Sequence, residues 1–411
     1  MSPHHLQTIK LKDVIQVIFK AVLSNKAHPE YGAATIPFPI PDSEYDQAIE
    51  LLAGLDIGDA TAQDCRVEEV PAGMPTLNRL VAQNVNVDEL DYLAKRLGSF
   101  AKGECLQFQA MASALGLSDI KDLINLTFCY QQATVIADFS NLDKVGKDHF
   151  LNLGGGSMPL EEFQEMDGQS IALDLIQSGA GVVTPYGVAY DNGMKLEPVY
   201  DGRHLPEYYY ESCVAAVTLT PIGQPEEREF LYLPCPASKI DRAAQRLGAK
   251  ASWQCRAELD CDDICDAVRS LFEEEFELNE HLDALNRLAQ CYQGFRGGQV
   301  EKFHTVFDTT YPQTPEEAAY LAENIRDFTV VEGILTAEEY GQHIAQEMRV
   351  DAEVLESLDF RRLGQHRIDA EGGVFGDRGY VAYKGSQPEV KEIMARHVPS
   401  GQEPQMGELN L

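Results

Sequence analysis

The sequence predicts an α+β protein built from two tandem copies of one unit. Short runs rich in β-branched and aromatic residues alternate with segments of helical apolar periodicity. Short motifs from the first half return in the same order in the second half. Each half closes with a glycine-punctuated hairpin pattern. The length of 411 residues is enough for two or three ordinary domains, each with its own core.

The repeat consists of matched segments at a nearly constant spacing. The matches are Pro39-Ile40-Pro41 with Pro234-Cys235-Pro236, Cys65-Arg66-Val67-Glu68 with Cys255-Arg256-Ala257-Glu258, Asn125-Leu126 with Asn324-Ile325, Val145-Gly146 with Tyr340-Gly341, and Tyr186-Gly187-Val188-Ala189-Tyr190 with Gly379-Tyr380-Val381-Ala382-Tyr383. Because chance does not readily keep so many matches in register, they indicate a diverged tandem duplication. We call residues 1–205 copy 1 and residues 211–395 copy 2, and we expect residues 396–411 to form a flexible tail.

The elements of each copy follow from local patterns. In copy 1 we expect a first strand at Thr8–Leu11, an inserted helix at Val14–Leu23, a second strand at Ala34–Phe38, helices at Val87–Leu97 and Cys105–Leu115, and a hairpin at Val182–Tyr190. In copy 2 we expect paired strands at Val214–Leu219 and Phe230–Leu233, helices at Ser238–Leu247, Cys261–Phe276 and Glu280–Tyr292, and a hairpin at Val374–Tyr383.

The charge balance excludes several partners. The chain has 66 acidic and 33 basic residues, a formal net charge of −33. Like charges repel, so this polyanion is a poor ligand for nucleic acid and for anionic membranes. No apolar run approaches the ~20 residues of a membrane span, and Met1–Lys12 lacks the apolar core of a signal peptide. We therefore expect a cytoplasmic protein.

Patterns that carry chemistry are scarce. The nine cysteines are scattered, and the spacing of Cys255, Cys261 and Cys265 matches no common zinc site. The run Gly154–Ser157 is not followed by the lysine of a phosphate-binding loop. Neither Gly-x-Ser-x-Gly nor His-Glu-x-x-His occurs. We therefore expect no enzyme activity, with no catalytic residues, metal or cofactor.

The acidic residues are grouped in blocks, and these supply the candidate site. The first acidic block is residues 42–69, the acidic connector is residues 161–174, and the second acidic block is residues 260–283. The candidate residues are Asp42, Glu44, Asp46, Glu50, Asp56, Asp59 and Asp64 in the first block, Glu161, Glu162 and Glu165 in the connector, Asp260, Asp262, Asp263, Asp266, Glu273, Glu274, Glu277, Glu280 and Asp283 in the second block, and Glu338, Glu339 and Asp359 further along the chain.

Two interpretations of these blocks remain open at this point. One is a solvated face that only keeps the protein soluble. The other is a surrogate for nucleic acid. Duplex DNA carries one charge per ~1.7 Å of its axis, and a helix rises ~1.5 Å per residue, so a helical second acidic block would place its carboxylates at a density comparable with one face of DNA.

Copy 2 resembles the antirestriction protein ArdA family. The resemblance lies in Glu229–Pro234, Ala337–Gly341, Leu358–Gly364 and the closing Gly-x-Phe-x-Asp-x-Gly-Tyr pattern of Gly373–Tyr380. It implies an elongated, curved α+β protein of a mobile element in a bacterial cell. Such a protein mimics DNA and occupies the DNA-binding groove of type I restriction-modification enzymes. The family unit usually dimerises, so the tandem chain implies either a pseudo-dimer within one chain or a homodimer.

The sequence departs from the family pattern in two places. Arg361 and Arg362 stand where an acidic and aromatic stretch is expected. The copy 2 counterpart of the first acidic block is instead basic, with Lys239, Arg242, Arg246, Lys250 and Arg256. We therefore expect this basic face to pack near the first acidic block.

These observations together predict a DNA-mimic inhibitor of a type I restriction-modification complex. The alternatives are an accessory or scaffold protein with a solubilising acidic surface, and an inhibitor of another DNA-targeting defence nuclease such as a Cas effector.

Overall fold

A computed structural model describes residues 16–154, 157–208, 212–273, 275–349 and 355–397. It confirms the α+β class, since these residues form helices together with four small sheets. The strand expected at Thr8–Leu11 and the flexible tail lie outside the described residues, apart from residues 396 and 397.

The strands are β1 Phe19–Asn25, β2 Ala33–Phe38, β3 Cys65–Ala72, β4 Asn84–Val85, β5 Ala133–Ile136, β6 Val182–Thr184, β7 Gly187–Asp191, β8 Ala215–Pro221, β9 Glu229–Leu233, β10 Cys255–Asp260, β11 Phe328–Glu332, β12 Val374–Gly376 and β13 Gly379–Tyr383.

The α-helices are α1 Asp42–Ala53, α2 Val87–Gly98, α3 Lys102–Ala114, α4 Ile120–Leu126, α5 Leu142–Leu153, α6 Leu160–Glu165, α7 Gly168–Gln177, α8 Ala237–Arg246, α9 Asp266–Glu273, α10 Leu282–Gly294, α11 Gln299–Thr310, α12 Pro315–Glu323, α13 Ala337–Glu347, α14 Phe360–Glu371 and α15 Pro388–Ala395. Short 3₁₀ helices cover Pro29–Tyr31, Pro75–Leu80, Tyr130–Gln132, Ser252–Gln254, Leu278–Glu280 and Ile325–Asp327.

The chain divides into two compact units. The first compact unit is Met1–Glu211 with Thr220–Phe230 and Pro236–Ala251, and the second is Ser212–Leu219, Leu231–Cys235 and Ser252–Leu411. The sequence boundaries differ from this division, because they place the tip of the β8–β9 hairpin and helix α8 with copy 2. The physical reason is that Lys239, Arg242 and Arg246 of α8 each have an acidic partner in copy 1, as described below.

The first sheet has the strand order β2-β1-β3-β4, and its inner strand β1 differs from the sequence prediction. The helix expected at Val14–Leu23 is wrong, because Phe19–Asn25 forms β1. Phe19, Ala21 and Leu23 are buried while Lys20 is exposed, which is the two-residue alternation of a strand. Pairing with β2 on one side and β3 on the other satisfies the backbone of this strand.

Corresponding sheets recur in the two copies. The order β10-β8-β9 in copy 2 corresponds to β3-β1-β2 in copy 1, but the described residues contain no counterpart of β4 beyond β10. The two predicted hairpins are confirmed, with orders β5-β7-β6 and β11-β13-β12. The copies therefore share element order at both ends, and the duplication itself stays a prediction.

A pair of helices crosses beside each closing hairpin at two glycines. In copy 1 a Cβ on Gly146 of α5 would lie 1.8 Å from the carbonyl oxygen of Gly168 at the start of α7. In copy 2 a Cβ on Gly364 of α14 would lie 1.8 Å from the carbonyl oxygen of Ala337 on α13. Because no side-chain atom fits in either contact, glycine is what lets the two helix backbones approach this closely.

The helices expected at Val87–Leu97, Cys105–Leu115, Ser238–Leu247 and Glu280–Tyr292 are confirmed as α2, α3, α8 and α10, with small shifts at their ends. The helix expected at Cys261–Phe276 is wrong at both ends, because only α9, Asp266–Glu273, is α-helical there. Before α9 the chain turns, and the buried Cys261 sulfur accepts a hydrogen bond from the Ile264 N–H at 3.3 Å. The second acidic block is therefore not one continuous helix.

Candidate partner-binding surface

The first acidic block begins on α1. This helix buries Tyr45, Ala48 and Leu52 and exposes the candidate residues Asp42, Glu44, Asp46 and Glu50. Asp56 and Asp59 are exposed in the loop that follows, and Asp64 is half-buried. The sequence thus predicted correctly that most of these carboxylates face solvent, as expected for the polar face of an amphipathic helix.

Two of the loop carboxylates stabilise the loop itself. The Asp59 Oδ1 accepts hydrogen bonds from the backbone N–H and the hydroxyl of Thr61, each at 2.7 Å. The Asp64 carboxylate accepts from the N–H groups of Gly58 and Asp59 at 2.9 and 3.0 Å. The hydrogen bonds from Thr61 lower the pKa of Asp59. These two acids therefore have a structural role in the loop.

Helix α8 contacts two further acids of the first block. The Lys239 ammonium lies 2.8 Å from the Asp42 carboxylate and 4.5 Å from the centre of the Tyr45 ring. Ser238 donates hydrogen bonds from its N–H and its hydroxyl to the Asp46 carboxylate. The expectation that the basic face of copy 2 packs near the first acidic block is confirmed for these contacts.

The arginines of α8 extend into a buried ion network. The Arg242 Nε lies 2.9 Å from the Asp88 carboxylate, and the Arg246 Nη1 lies 2.6 Å from the same Oδ2 atom. The Arg246 Nη2 lies 2.8 Å from the Glu229 Oε2. All four side chains are buried, with exposed fractions between 1% and 11%. The Arg242 Nη1 also donates to the carbonyl of Gly58 at 2.7 Å.

The electrostatics of the network depend on burial and on these partners. Burial alone raises the pKa of Asp88, but the charges of Arg242 and Arg246 and the hydrogen bond from the Tyr45 hydroxyl outweigh it, so the pKa is lowered. Burial also raises the pKa of Glu229, and Arg246 offsets this only in part. The Asp88 carboxylate therefore stays charged in the folded protein between two guanidinium groups.

The sequence did not identify Asp88 or Glu229 as partners of α8. Asp88 lies two residues after the helix-capping residue Asn86, and acidic residues are common in the first turn of a helix. Glu229 lies immediately before a segment that the sequence predicts to be a strand. The only available signal was the excess of arginine on α8, which requires acidic partners when the helix is buried.

The acidic connector forms the exposed helix α6. Glu161, Glu162 and Glu165 are all exposed, and Phe163 between them lies 5.7 Å from the Lys147 ammonium. Within the described residues no ion pair is recorded for the three glutamates.

The second acidic block presents its carboxylates to solvent. Asp260, Asp262, Asp263, Asp266, Glu273, Glu277, Glu280 and Asp283 are exposed, and Glu274 lies outside the described residues. Among the described residues the one ion pair recorded for these acids joins Asp283 to Arg287 at 4.0 Å. Unlike the first acidic block, this block has no basic helix packed on it among the described residues of the second compact unit.

A groove of about 400 Å³ lies within the second acidic block. Its lining includes four glutamates, Glu258, Glu273, Glu275 and Glu277, and the apolar side chains of Leu259, Phe272, Phe276 and Leu278 together with Ala257. One side of the groove is strand β10, and the other consists of residues 272, 273 and 275–278. The groove thus has a mainly polar and strongly negative lining over an apolar base.

The last three candidate acids lie on the crossing helices of copy 2. Glu339 receives hydrogen bonds from the N–H groups of Leu335 and Thr336 and caps α13, and these bonds lower its pKa. Asp359 caps α14 by accepting from the Arg362 N–H at 3.0 Å. Glu338 is exposed without such a role in the described residues. Helix capping explains two of these three acids.

The described residues contain no cluster of three or more histidine, cysteine or acidic side chains placed to hold a metal ion. The nine cysteines are free thiols, and burial raises the pKa of Cys129 and Cys291 to about 11. None of the described helices combines the length and the apolar character of a membrane span.

Comparison of the chain with protein-family models, curated proteins and solved structures gave no match. The resemblance to the ArdA family therefore stays a prediction based on the motifs quoted above.

Proposed function

We propose that the protein is a non-enzymatic inhibitor that presents carboxylates in place of DNA phosphates to a DNA-binding defence complex. The first candidate target is a type I restriction-modification enzyme in the bacterial cytoplasm. DNA-binding grooves are lined by lysine and arginine, which bind phosphates mainly through sequence-independent electrostatics. A protein surface with exposed and unpaired carboxylates meets the same requirement.

The observation that carries the proposal is the state of the second acidic block. Eight described candidate acids there are exposed, and the single ion pair recorded among them is the contact of Asp283 with Arg287 at 4.0 Å. Surface charges of one sign repel one another whatever the secondary structure, and lysines interleaved among the acids would relieve that repulsion in a surface that served solubility alone. The lack of such lysines favours a surface that pairs with an external cation-rich partner.

The two acidic blocks are unequal in this function. In the first block Asp42 and Asp46 contact α8, and Asp59 and Asp64 hold a loop, so those four carboxylates are already hydrogen-bonded within the first compact unit. The second block keeps its carboxylates available. We therefore assign the principal partner-binding surface to the second acidic block.

A competition assay tests the proposal. A type I methyltransferase bound to labelled target DNA is titrated with the full chain at about 50 mM and about 200 mM salt. The expected result is competitive displacement of DNA that weakens at the higher salt, because association of a polyanion with a basic groove releases counterions. Displacement that is independent of salt would contradict a surface made of carboxylates.

The alternatives predict different results in the same assay. An accessory or scaffold protein leaves the DNA complex intact at micromolar concentration. An inhibitor of another DNA-targeting nuclease leaves the methyltransferase complex intact but displaces DNA from a Cas effector tested in parallel. Intact DNA complexes with both enzymes would overturn the proposed function.

A further inference from the structure

Strand β10 forms one wall of the acidic groove, and among the described residues no strand pairs with its outer edge. In the sheet order β10-β8-β9 this strand is terminal, whereas its copy 1 counterpart β3 is paired with β4 through Cys65 and Val85. An open edge presents unpaired backbone N–H and C=O groups that can hydrogen-bond an added strand. Within the described part of the chain, copy 2 thus has no strand at the edge where copy 1 has β4, and the Asn279 side chain occupies this edge at Cys255.

The direction of this edge follows from one side-chain contact. The Asn279 amide donates to the carbonyl oxygens of Trp253 and Cys255 at 2.9 and 2.7 Å. The Cys255 carbonyl therefore points away from β8. Because successive residues of a strand point their backbone groups to opposite sides, Ala257 and Leu259 point theirs to the same side as Cys255. Ala257, Glu258 and Leu259 all line the groove although successive side chains of a strand lie on opposite faces, so the groove runs along the outer edge of the strand.

The remaining walls of the groove define the chemistry of what fits there. The half-buried Leu259 and Phe276 supply apolar contact, Phe272 and Leu278 are buried behind them, and the glutamates 258, 273, 275 and 277 supply negative charge. Lysine and arginine side chains match both features, since their stems lie on apolar surface while the charged ends meet carboxylates.

We propose that the groove binds an extended, basic segment of the partner protein, which adds as a strand to the outer edge of β10. The backbone of Ala257 and Leu259 provides the main-chain hydrogen bonds, and alternate lysine or arginine side chains of the segment reach the glutamates. The inference rests on the proposed function in one respect, since it assumes that the segment belongs to the DNA-binding partner.

The probe for this inference is a short synthetic peptide with arginine at alternate positions, titrated into the full chain. Trp253 is the sole tryptophan, is 57% exposed and shares the Asn279 contact at the edge of the groove, so its fluorescence reports binding. The expected result is saturable binding at physiological salt. A peptide of the same sequence that is N-methylated at alternate residues keeps its charge but cannot add as a strand, and we expect at least about tenfold weaker binding.

Two variants of the chain test separately whether peptide binding depends on the backbone of β10 and on the charge of the groove. Ala257→Pro removes an outward N–H and is compatible with an edge strand, and we expect about tenfold weaker peptide binding. Glu258→Lys with Glu277→Lys reverses two groove charges and should weaken binding at least as much. Glu226→Lys with Glu392→Lys is the matched control, because both residues are exposed, lie outside the groove and change the net charge equally.

The outcomes are distinct. Equal binding of the methylated and unmethylated peptides to the unaltered chain overturns strand addition even if Ala257→Pro fails to fold. If the groove double variant and the control double variant weaken peptide binding equally, the effect is one of net charge, and the groove is not the binding site. Peptide binding that is absent, or replaced by binding of a small cationic molecule alone, overturns the proposed occupant. If the unaltered chain displaces DNA but the groove variants displace it equally well, this inference fails while the proposed function stands.

Discussion

The two acidic blocks of the chain use their carboxylates in opposite ways. In the first block Asp42 and Asp46 contact α8, and the adjoining Asp88 on α2 binds the buried Arg242 and Arg246. In the second block the carboxylates face solvent around a groove. The difference teaches that the net charge of −33 does not describe a single acidic surface. Some of the acidic side chains pair with the basic helix α8 inside the first compact unit.

This contrast also separates stability from recognition. Exposed ion pairs such as Lys239 with Asp42 contribute little, of the order of 0–1 kcal/mol. A buried ion network contributes little net free energy compared with an apolar replacement, but removal of one partner is costly, because it leaves a buried charge without compensation. Changes at Asp88 should therefore affect folding, whereas changes in the second acidic block should affect binding.

The largest expected effect is that of Asp88→Ala. The change leaves Arg242 and Arg246 buried with one fewer carboxylate, so we expect the free energy of unfolding to fall by about 3–5 kcal/mol. Urea unfolding followed by circular dichroism measures it. Glu50→Ala on the exposed face of α1 is the control and should stay within about 0.5 kcal/mol of the unaltered chain. Equal stability of the two variants would remove the distinction between buried and exposed acids.

The second effect concerns the glycine crossings that the copies share. Gly364→Ala puts a Cβ against the Ala337 carbonyl, and Gly146→Ala puts one against the Gly168 carbonyl. We expect each change to destabilise the protein by about 1–3 kcal/mol, as overpacking does. Gly103→Ala on α3 is the control, because a Cβ there meets nothing within 4 Å. Thermal unfolding that is unchanged in one copy would show that the two crossings are not equivalent.

The third effect tests which acidic block recognises the partner. Replacement of Asp262, Asp263 and Asp266 by lysine should weaken displacement of DNA in the competition assay by at least about tenfold, or ~1.4 kcal/mol. The matched variant replaces Glu44, Glu50 and Asp56 in the first block and should weaken displacement less. A larger loss from the first-block variant would reverse our assignment of the principal surface.

The smallest effect is a pH dependence in one copy. His149 on α5 contacts the Thr134 hydroxyl at 2.7 Å, and burial lowers its pKa from 6.5. The unfolded chain therefore takes up this proton first, and stability falls as pH drops below about 6.5.

Copy 2 has Ile344 at the matching position, also 9% exposed. We expect His149→Ile to flatten the dependence of the unfolding midpoint on pH between about 7 and 5. Unfolding midpoints of the unaltered and variant chains, recorded across this range, make the comparison. A slope that is the same in both proteins would assign the dependence to other groups.

Local patterns predicted a large part of the fold. Pro236 ahead of α8 and the residues that cap α2 lie next to the helices that they start, so short windows of sequence contain the necessary information. The predicted helix at Val14–Leu23 was wrong because this apolar segment has hydrophobic residues both at the helical spacing and at the two-residue spacing of a strand. Neighbouring segments then determine its secondary structure, and here β2 and β3 pair with it.

The candidate site shows the same division. Sequence reasoning located the exposed acids of the second block correctly, since adjacent like charges rarely tolerate burial. It did not predict the groove, because Ala257–Leu259 and the lining residues between 272 and 278 are separated in the sequence and meet only through tertiary packing.

The sequence by itself determined the α+β class, the paired hairpins, the basic character of α8 and the positions of the acidic blocks, because each depends on residue types and on spacing within a few turns. Only the tertiary structure decided that Asp88 and Glu229 compensate the α8 arginines, that β1 is a strand, and that no described strand pairs with the outer edge of β10. Those features depend on which distant segments meet. Burial and hydrogen bonding select such contacts after the chain has collapsed, and no local pattern encodes them.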